Sequence, residues 1–178
     1  MKKILGFAGS NSSTSINAQL VKHVLGRLSG VEANQINFAS YLVPMYDIDV
    51  EERDGIPKQI KEIHSAIRNC DALVISVNEH NGSMSAFFKN IVDWLSREDK
   101  NFVEGRPILL MSTSPGKGGA KKSLAYAKDT FPKFGGNVVE SFSFPSFQEN
   151  FSEENNSIKN PQLDAGVGEV IASFLAQI

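Results

Sequence analysis

Hydroxyl and amide side chains crowd the segment 9–17, which lies between a short apolar run and the first helical pattern of the chain. This segment contains five Ser or Thr hydroxyls and two Asn amides. The start of a helix offers unpaired N–H groups and a partial positive charge, and hydroxyls add neutral donors, so such a loop can bind a phosphate. An ordinary helix cap is the alternative, since Ser and Thr are favoured at caps in any protein. Because a cap needs only one such side chain, the number of donors favours phosphate binding.

The segment 9–17 lacks the motifs of two common kinds of phosphate site, the P-loop and the dinucleotide-binding loop. It has no lysine, which a P-loop requires, and it does not contain the G-x-G-x-x-G pattern of dinucleotide sites. The second predicted strand does not end in an acidic residue that would bind a ribose. A phosphate held by hydroxyls and backbone alone, without magnesium, fits the terminal phosphate of flavin mononucleotide (FMN).

Two further loops suit a flat ring system. Residues 78–85 contain an Asn-Gly bend, in which Gly82 would let backbone N–H groups approach the N5 and O4 edge of a flavin. Residues 112–120 contain three glycines and a proline, and the N–H groups of such a turn favour negative charge on the N1–C2=O edge. Ordinary turn chemistry explains either loop when it is taken alone.

Hydrophobic periodicity places these loops within an alternating pattern of strands and helices. Three nearly continuous apolar runs, at 3–8, 72–77 and 108–111, are typical of strands buried on both faces. Apolar residues with helical spacing follow each strand. The weaker strand patterns lie at 32–38 and 137–144, and the helical patterns lie at 16–28, 56–67, 87–95, 124–131 and 167–178.

The resulting order, a strand followed by a helix five times, predicts an α/β fold. We expect a flavodoxin-like, doubly wound, five-stranded parallel sheet with strand order 2-1-3-4-5. The length of 178 residues suits one domain, spanning residues 1–178. In such sheets, ligands bind beyond the carboxyl ends of the strands, where the strand order reverses. The three polar loops follow strands 1, 3 and 4, so we expect them to meet at one site.

Composition argues against several other classes of protein. A net charge of −2 does not suit a nucleic-acid or anionic-membrane surface, and no run approaches the roughly 18 apolar residues of a membrane span. His23, His64 and His80 lie far apart, so we expect no metal site. The single cysteine, Cys70, cannot form an intrachain disulfide and fits a reducing compartment, so we expect a cytoplasmic protein.

The first two loops and the glycine-rich third loop resemble those of the NAD(P)H-dependent FMN reductase family, which includes bacterial quinone and chromate reductases. The first loop resembles G-S-x-R-x-x-S-x-N, and the segment 78–94 is similar to P-E-Y-N-x-S-x-P-x-x-L-K-N-x-I-D-W. The resemblance extends over roughly residues 3–145. The matching residues in the two motifs are Gly9, Ser10, Ser15, Asn17, Glu79, Asn81, Ser83, Lys89, Asn90, Asp93 and Trp94.

The resemblance implies bound FMN, with NAD(P)H as co-substrate and ping-pong hydride transfer to a small acceptor such as a quinone, free flavin, an azo compound or an oxyanion. It also implies a homodimer or homotetramer with FMN near the subunit interfaces. No side chain is expected to act as a catalytic acid, base or nucleophile, because flavin N5 carries the hydride. The residues expected to bind the cofactor are Ser10, Ser12, Ser15, Ile16 and Asn17 near the phosphate, and Asn78, Glu79, His80, Asn81, Gly82, Ser112, Thr113, Ser114, Pro115 and Gly116 near the ring.

Three positions depart from the family pattern. Ser12 stands where the family has arginine, Asn78 where it has proline, and His80 where it has tyrosine. A charge-assisted hydrogen bond contributes about 1.5–3 kcal/mol, so the missing arginine is expected to weaken FMN binding about ten- to a hundredfold. The hydroxyls of Ser12 and Ser13 offset part of that loss. His80 can either stack on the ring, as tyrosine would, or lie in solvent.

Other functions stay open from the sequence. The chain could be a flavodoxin that only transfers electrons, although flavodoxins are usually more acidic, or a flavodoxin-like module without flavin. A reductase that uses FMN as a diffusing substrate is made plausible by the missing arginine.

The sequence also predicts the surroundings of several other residues. The polar segment 146–162 is expected to be a mobile loop, and Trp94 and Cys70 are expected to be packed. Either Phe87 or Phe88 is expected to line a subunit contact.

Overall fold

The computed structural model describes the whole chain, Met1–Ile178, as a parallel sheet with helices on both faces. Single turns of 3-10 helix lie at Phe38–Ser40 and Phe131–Phe134. In chain order the other elements are β1 (Lys2–Ala8), α1 (Ile16–Arg27), β2 (Val31–Ile36), α2 (Ile48–Asp54), α3 (Lys58–Arg68), β3 (Ala72–Val77), β4 (Glu79–His80), β5 (Ser83–Met84), α4 (Ala86–Glu98), β6 (Pro107–Thr113), α5 (Lys121–Thr130), β7 (Asn137–Phe144), α6 (Phe147–Asn150), β8 (Phe151–Ser152), β9 (Ser157–Ile158) and α7 (Pro161–Leu175).

The central sheet has the strand order β2-β1-β3-β6-β7, and every neighbouring pair in it is parallel. Counted among these five strands alone, this is the predicted order 2-1-3-4-5, so the flavodoxin-like, doubly wound architecture is confirmed. Two small antiparallel hairpins, β4 with β5 and β8 with β9, lie outside the sheet. Strands β1, β3 and β6 are parallel neighbours, so their carboxyl ends lie side by side. The strand order reverses between β1 and β3.

The three central strands are buried because helices cover both of their faces. Every residue of β3 is buried, as are the last five residues of β1 and the last six of β6. The outer strands β2 and β7 are mostly exposed or half-buried, which explains why their apolar patterns are weaker in the sequence. A continuous apolar run is therefore the mark of a central strand in this fold.

The helices bury the faces that their apolar spacing predicts. Three helices, α3, α4 and α5, cover one face of the sheet, and α1 and α7 cover the other. None of the helices combines the length and the apolar character needed to cross a bilayer. The first core includes Ile60, Ile63, Ile67, Phe88, Ile91, Leu95, Leu124 and Ala127, and the second includes Leu20, Val21, Val24, Val167, Ile171 and Phe174.

The connection between β2 and α3 contains a helix, α2, that the periodicity did not indicate. None of its residues is buried, and Val50 packs only partly against the core, so the helix has no apolar repeat to detect. An ion pair between Glu51 and Arg97 (Nε to Oε2, 2.9 Å) holds α2 to α4, and the Tyr46 hydroxyl donates to the same carboxylate. The hydrogen bond from Arg97, supported by the one from Tyr46, holds the pKa of Glu51 below its usual value.

The polar segment 146–162 is a short helix and a hairpin, so the expectation of a mobile loop is not what the structure shows. Phe147 and Phe151 of this segment are buried, and their rings stack with centroids 4.7 Å apart. His23 of α1 fixes the hairpin from below, because its Nδ1 lies 2.8 Å from the backbone oxygen of Asn156. Two phenylalanines spaced four residues apart order a segment whose other residues are mostly polar.

Trp94, Cys70 and Phe88 are all packed inside the protein. Trp94 is buried, and its Nε1 donates to the backbone oxygen of Pro44 at 2.8 Å. Cys70 is buried too, and this burial raises the pKa of its thiol. Phe88 is buried, whereas Phe87 is only half-buried, with its ring 6.2 Å from that of Phe38. Of the two adjacent phenylalanines, Phe87 is therefore the one with surface left for a subunit contact.

Candidate functional site

An open cleft of about 280 Å³ lies beyond the carboxyl ends of β1, β3 and β6. The loops that follow these three strands form its walls, at the place where the strand order reverses. Eleven of the fifteen residues expected to bind a cofactor line this cleft. They are Ser10, Ser12, Ser15, Ile16, Asn17, Asn78, Glu79, His80, Thr113, Ser114 and Pro115, and Thr14 and Gln148 line it as well.

The loop after β1 presents free donors to the cleft. Ser15 is the N-cap of α1, and its Oγ accepts a hydrogen bond from Ala18 N at 3.1 Å. The N–H groups of Ile16 and Asn17, the first two of the helix, have no acceptor in the protein. Ser12 shapes the loop, because its N–H donates to a neighbouring hydroxyl at 3.2 Å. A helix start with free N–H groups and surrounding hydroxyls is what an anion requires.

Asn17 lines the cleft, and its side chain has a structural role in addition. Its side chain points into the protein and joins α1 to two strands, and only 3% of the residue is exposed. Asn17 Oδ1 accepts from Ser76 Oγ at 2.7 Å and from Thr113 N at 3.2 Å, while Nδ2 donates to the backbone oxygen of Thr113 at 3.2 Å. Asn17 therefore faces the cleft with its backbone N–H, and its amide fixes the ends of β3 and β6.

Glu79, the first residue of β4, caps a helix from the side. Its Oε2 accepts from the N–H groups of Lys122 at 3.0 Å and Ser123 at 3.1 Å, in the first turn of α5. Ala120, the residue at the N-cap position, has no side chain able to cap. The carboxylate of Glu79 thus supplies the cap that α5 lacks and ties the second loop to this helix.

We expect Glu79→Ala to lower the free energy of unfolding by about 1–2 kcal/mol, because two N–H groups at a helix start lose their acceptor. Urea unfolding followed by far-ultraviolet circular dichroism measures this change. Glu149→Ala, at an exposed position of the short helix α6, is the matched control and should change the unfolding midpoint little, since no hydrogen bond of its side chain is lost. Equal midpoints for the two variants would contradict the capping role.

Four predicted site residues do not line the cleft. Asn81 and Gly82 form the two-residue turn between β4 and β5, and both have positive φ, of 53° and 81°. A two-residue hairpin turn requires positive φ, so Gly82 serves this turn, although a Cβ there would lie at an ordinary contact distance of 3.5 Å from Lys122 Cδ. Ser112 is buried, with its Oγ donating to Gly119 O at 2.6 Å. Gly116 is exposed, and its oxygen accepts from Ser114 Oγ at 3.2 Å and from the N–H groups of Gly119 at 3.2 Å and Ser146 at 3.0 Å.

At the end of the third loop, the first N–H groups of α5 are bonded within the protein. The N–H groups of Gly119 and Lys121 donate to oxygens within the loop, and those of the next two residues donate to Glu79. The start of α5 therefore has no free N–H group with which to stabilise a charged ring edge. The cleft-facing part of this loop is the stretch Thr113–Pro115, beside Gln148 of α6.

Two residues of the cleft were missed from the sequence. Thr14 belongs to the hydroxyl-rich first loop, so the signal for it was present, and its Oγ1 lies 3.3 Å from Ser12 Oγ. Gln148 comes from the segment that was expected to be a loop, and no motif marks it. Its place at the cleft follows only from the packing of α6.

The chemistry of the lining fits a flavin nucleotide. No Lys or Arg lines the cleft, and Glu79 is committed to α5, so a phosphate would be held by backbone N–H groups and hydroxyls alone. Asn78 is buried, and its Oδ1 has no partner in the protein. A buried acceptor without a donor points to a ligand that brings one. His80 is exposed at the rim of the cleft.

Comparison with known proteins agrees with this geometry. Residues 2–149 match the family described as NADPH-dependent FMN reductase. The chain is 29% identical over 129 residues to an NAD(P)H-dependent FMN reductase of Pseudomonas aeruginosa, covering 72% of this chain and 68% of that one. It is 38% identical over 80 residues to a quinone reductase of Escherichia coli K12, covering 44% of this chain and 43% of that one, so this match spans less than half of the relative.

The fold also resembles a solved structure. FerB, a flavoenzyme NAD(P)H:(acceptor) oxidoreductase from Paracoccus denitrificans, superposes with a TM-score of 0.83 at 22% identity, over 99% of this chain and 96% of that one. At this identity the likeness shows the fold. The match to the family over residues 2–149 shows more, and the chain belongs to the NADPH-dependent FMN reductase family.

Proposed function

We propose that this protein binds FMN in the cleft and uses NAD(P)H to reduce small electron acceptors, such as quinones, free flavin, azo compounds or oxyanions. The observation that carries the proposal is the meeting of three polar loops in one cleft, with two free helix N–H groups at one end of it. Membership of the FMN reductase family supports the same conclusion.

The residues of the cleft would bind and orient the cofactor. The phosphate would lie at the start of α1, against the N–H groups of Ile16 and Asn17 and the hydroxyls of Ser10 and Ser12. When bound, FMN supplies the hydride chemistry. The protein supplies placement, which decides the rate because hydride donor and acceptor must be in contact. The ring would lie between the second and third loops, with residues 78–80 and 113–115 around it.

A flavin titration followed by anaerobic reduction tests the proposal. The apoprotein is expected to bind FMN with a shift in the flavin visible spectrum, and NADPH or NADH should then bleach the bound chromophore. Adding a quinone should restore the oxidised spectrum and sustain NAD(P)H consumption over many turnovers. Stable binding without reduction by either nicotinamide would favour an electron-transfer module, and failure to bind FMN would overturn the proposal.

A second candidate, in which FMN is a diffusing substrate, is favoured by the absence of Lys and Arg from the cleft lining. Without a cation, the phosphate depends on neutral donors, and each neutral hydrogen bond contributes only about 0.5–1.5 kcal/mol. Ultrafiltration of the loaded protein distinguishes the two cases. If the flavin passes the filter and activity then depends on added FMN, FMN is a substrate. If the flavin stays with the protein, FMN is a bound cofactor.

A homodimer or homotetramer is part of the same proposal. Three large apolar side chains are exposed in the connection before α3, namely Leu42 (86%), Met45 (68%) and Ile48 (49%). Exposed apolar residues in one short segment are typical of interaction surfaces. The neighbouring groove is lined by Asn11 of the first loop and by Phe87, so this surface adjoins the cleft loops.

We expect the double variant Leu42→Glu/Met45→Glu to lower the oligomeric state, because charges would be buried at the subunit contact. Light scattering coupled to size exclusion measures the mass. The control is Lys133→Glu, which changes an exposed lysine in the 3-10 turn after α5 that does not line this groove. An unchanged mass in the double variant would place the subunit contact elsewhere.

The extent of the domain and the location are proposed as well. One domain over residues 1–178 is supported by α7, whose Val167, Ile171 and Phe174 share a core with Ile4 of β1. Limited proteolysis that released α7 as a separate stable piece would contradict it.

A cytoplasmic location is supported by the single thiol, Cys70, which is buried and unpaired. Cell fractionation tests it.

A further inference from the structure

Asn78 is the one buried side chain of the cleft whose polar atoms have no partner. Only 9% of Asn78 is exposed, and its Oδ1 has no donor in the protein. The other buried side chains of the lining are bonded: Ser15 Oγ accepts from Ala18 N, Asn17 joins two strands, and Thr113 Oγ1 donates to a backbone oxygen at 2.8 Å. The cleft thus presents one amide that the fold does not use.

The backbone of Asn78 is fixed, so its side chain is held at the cleft. Ser123 Oγ donates to the backbone oxygen of Asn78 at 2.8 Å, from a position in α5 that is fully buried. The next residue, Glu79, accepts two further hydrogen bonds from α5. Three hydrogen bonds therefore anchor this point of the chain to one helix. An amide on so constrained a backbone has little freedom to find a partner elsewhere.

Burying an acceptor without a hydrogen bond costs free energy, and Asn78 Oδ1 has no donor among the protein's own groups. Such a group calls for an explanation, and in the lining of a cofactor cleft a ligand that donates to the oxygen supplies one. The amide of Asn78 would suit a ligand with an N–H group at its edge. The flavin ring fits this requirement better in one of its redox states: the oxidised ring carries one N–H group, at N3, and the reduced ring gains N–H groups.

We propose that the Asn78 amide is a hydrogen-bond partner of the flavin ring whose oxygen favours the reduced form, so that this residue raises the reduction potential of the bound cofactor. The inference rests on the proposed function. It is specific to this chain, since Asn78 stands where the motif it resembles has proline. Proline has no side-chain acceptor. The reduction potential of FMN bound to this protein would therefore be higher than it would be with proline at this position.

The test is a potential measurement on FMN-loaded protein, by equilibration with a reference dye. Asn78→Ala is compared with the wild type and with Asn34→Ala, a control that removes an exposed amide from the edge strand β2. A tenfold loss in the preference for reduced flavin lowers the potential by about 30 mV for a two-electron couple. We expect a decrease of this size in Asn78→Ala and none in Asn34→Ala.

Thermal unfolding of the flavin-free proteins separates a ligand-binding role from a structural one. Because the amide has no partner in the fold, Asn78→Ala should melt at the same or a higher temperature than the wild type, and added FMN should stabilise it less. A variant that binds FMN with an unchanged potential overturns the inference while leaving the proposed function intact. A lower melting temperature without flavin also overturns it, by showing that the fold uses the amide. A wild type that does not bind FMN overturns both.

Discussion

Replacing Asn17 with aspartate is expected to weaken FMN binding about a hundredfold and to lower the free energy of unfolding by about 3 kcal/mol at neutral pH. The substitution keeps the shape of the side chain but removes the donor to Thr113 O. It also places a negative charge in a position that is 97% buried, directly beneath the start of α1. Two like charges about 4 Å apart repel by about 1 kcal/mol in water and about 4 kcal/mol near a protein surface, and a phosphate at this helix start would meet such a charge.

Asn90→Asp is the matched control for this prediction. Asn90 is also buried, and its amide bridges backbone groups in the same way: Oδ1 accepts from Tyr46 N at 2.7 Å and Nδ2 donates to Pro44 O at 2.9 Å. This position does not line the cleft. Both variants should lose stability in urea unfolding, but only Asn17→Asp should lose FMN affinity in a fluorescence titration. If the two variants bound FMN with equal affinity, the proposal that the phosphate lies at the start of α1 would be contradicted.

The fold was predictable from the sequence because its signals are local and strong. Strands β1, β3 and β6 are mostly apolar, since helices cover both of their faces, and the helices between them repeat apolar residues at three and four. The right-handed crossover rule then leaves few ways to connect them. Helix α2 escaped prediction for the opposite reason, because an exposed helix of seven residues held by an ion pair has no apolar period.

The site was predictable at the level of loops and less so at the level of atoms. Strand order determines which loops meet, so most of the expected residues do line the cleft. Whether a side chain faces the cleft or the core depends on packing that spacing does not encode. Asn17 turns inward to Ser76, and Glu79 turns sideways to α5, although both match the family motif. Motif positions thus include residues that hold the loops as well as residues that would contact the ligand.

Restoring the missing cation tests the other half of the phosphate proposal. We expect Ser12→Arg to tighten FMN binding about ten- to a hundredfold, because a charge-assisted hydrogen bond contributes about 1.5–3 kcal/mol and the cleft has no other cation. Ser12 is exposed, and its hydroxyl makes only two hydrogen bonds of 3.3 Å, both to Thr14, so little is lost in the exchange. Fluorescence titration at several salt concentrations measures the gain, which should shrink as salt screens the pair.

Two comparisons locate the source of that gain. Ser13→Arg adds the same charge one residue further along, at a position outside the cleft, and should tighten binding much less. Riboflavin, which has the same ring but no phosphate, should bind equally well to the wild type and to Ser12→Arg. If both arginine variants tighten FMN binding equally, added positive charge attracts the flavin wherever it is placed. If Ser12→Arg also tightens riboflavin binding, the first loop contacts the flavin ring and not the phosphate. Only a gain that needs both position 12 and the phosphate supports a phosphate site built from the hydroxyl-rich loop and the start of α1.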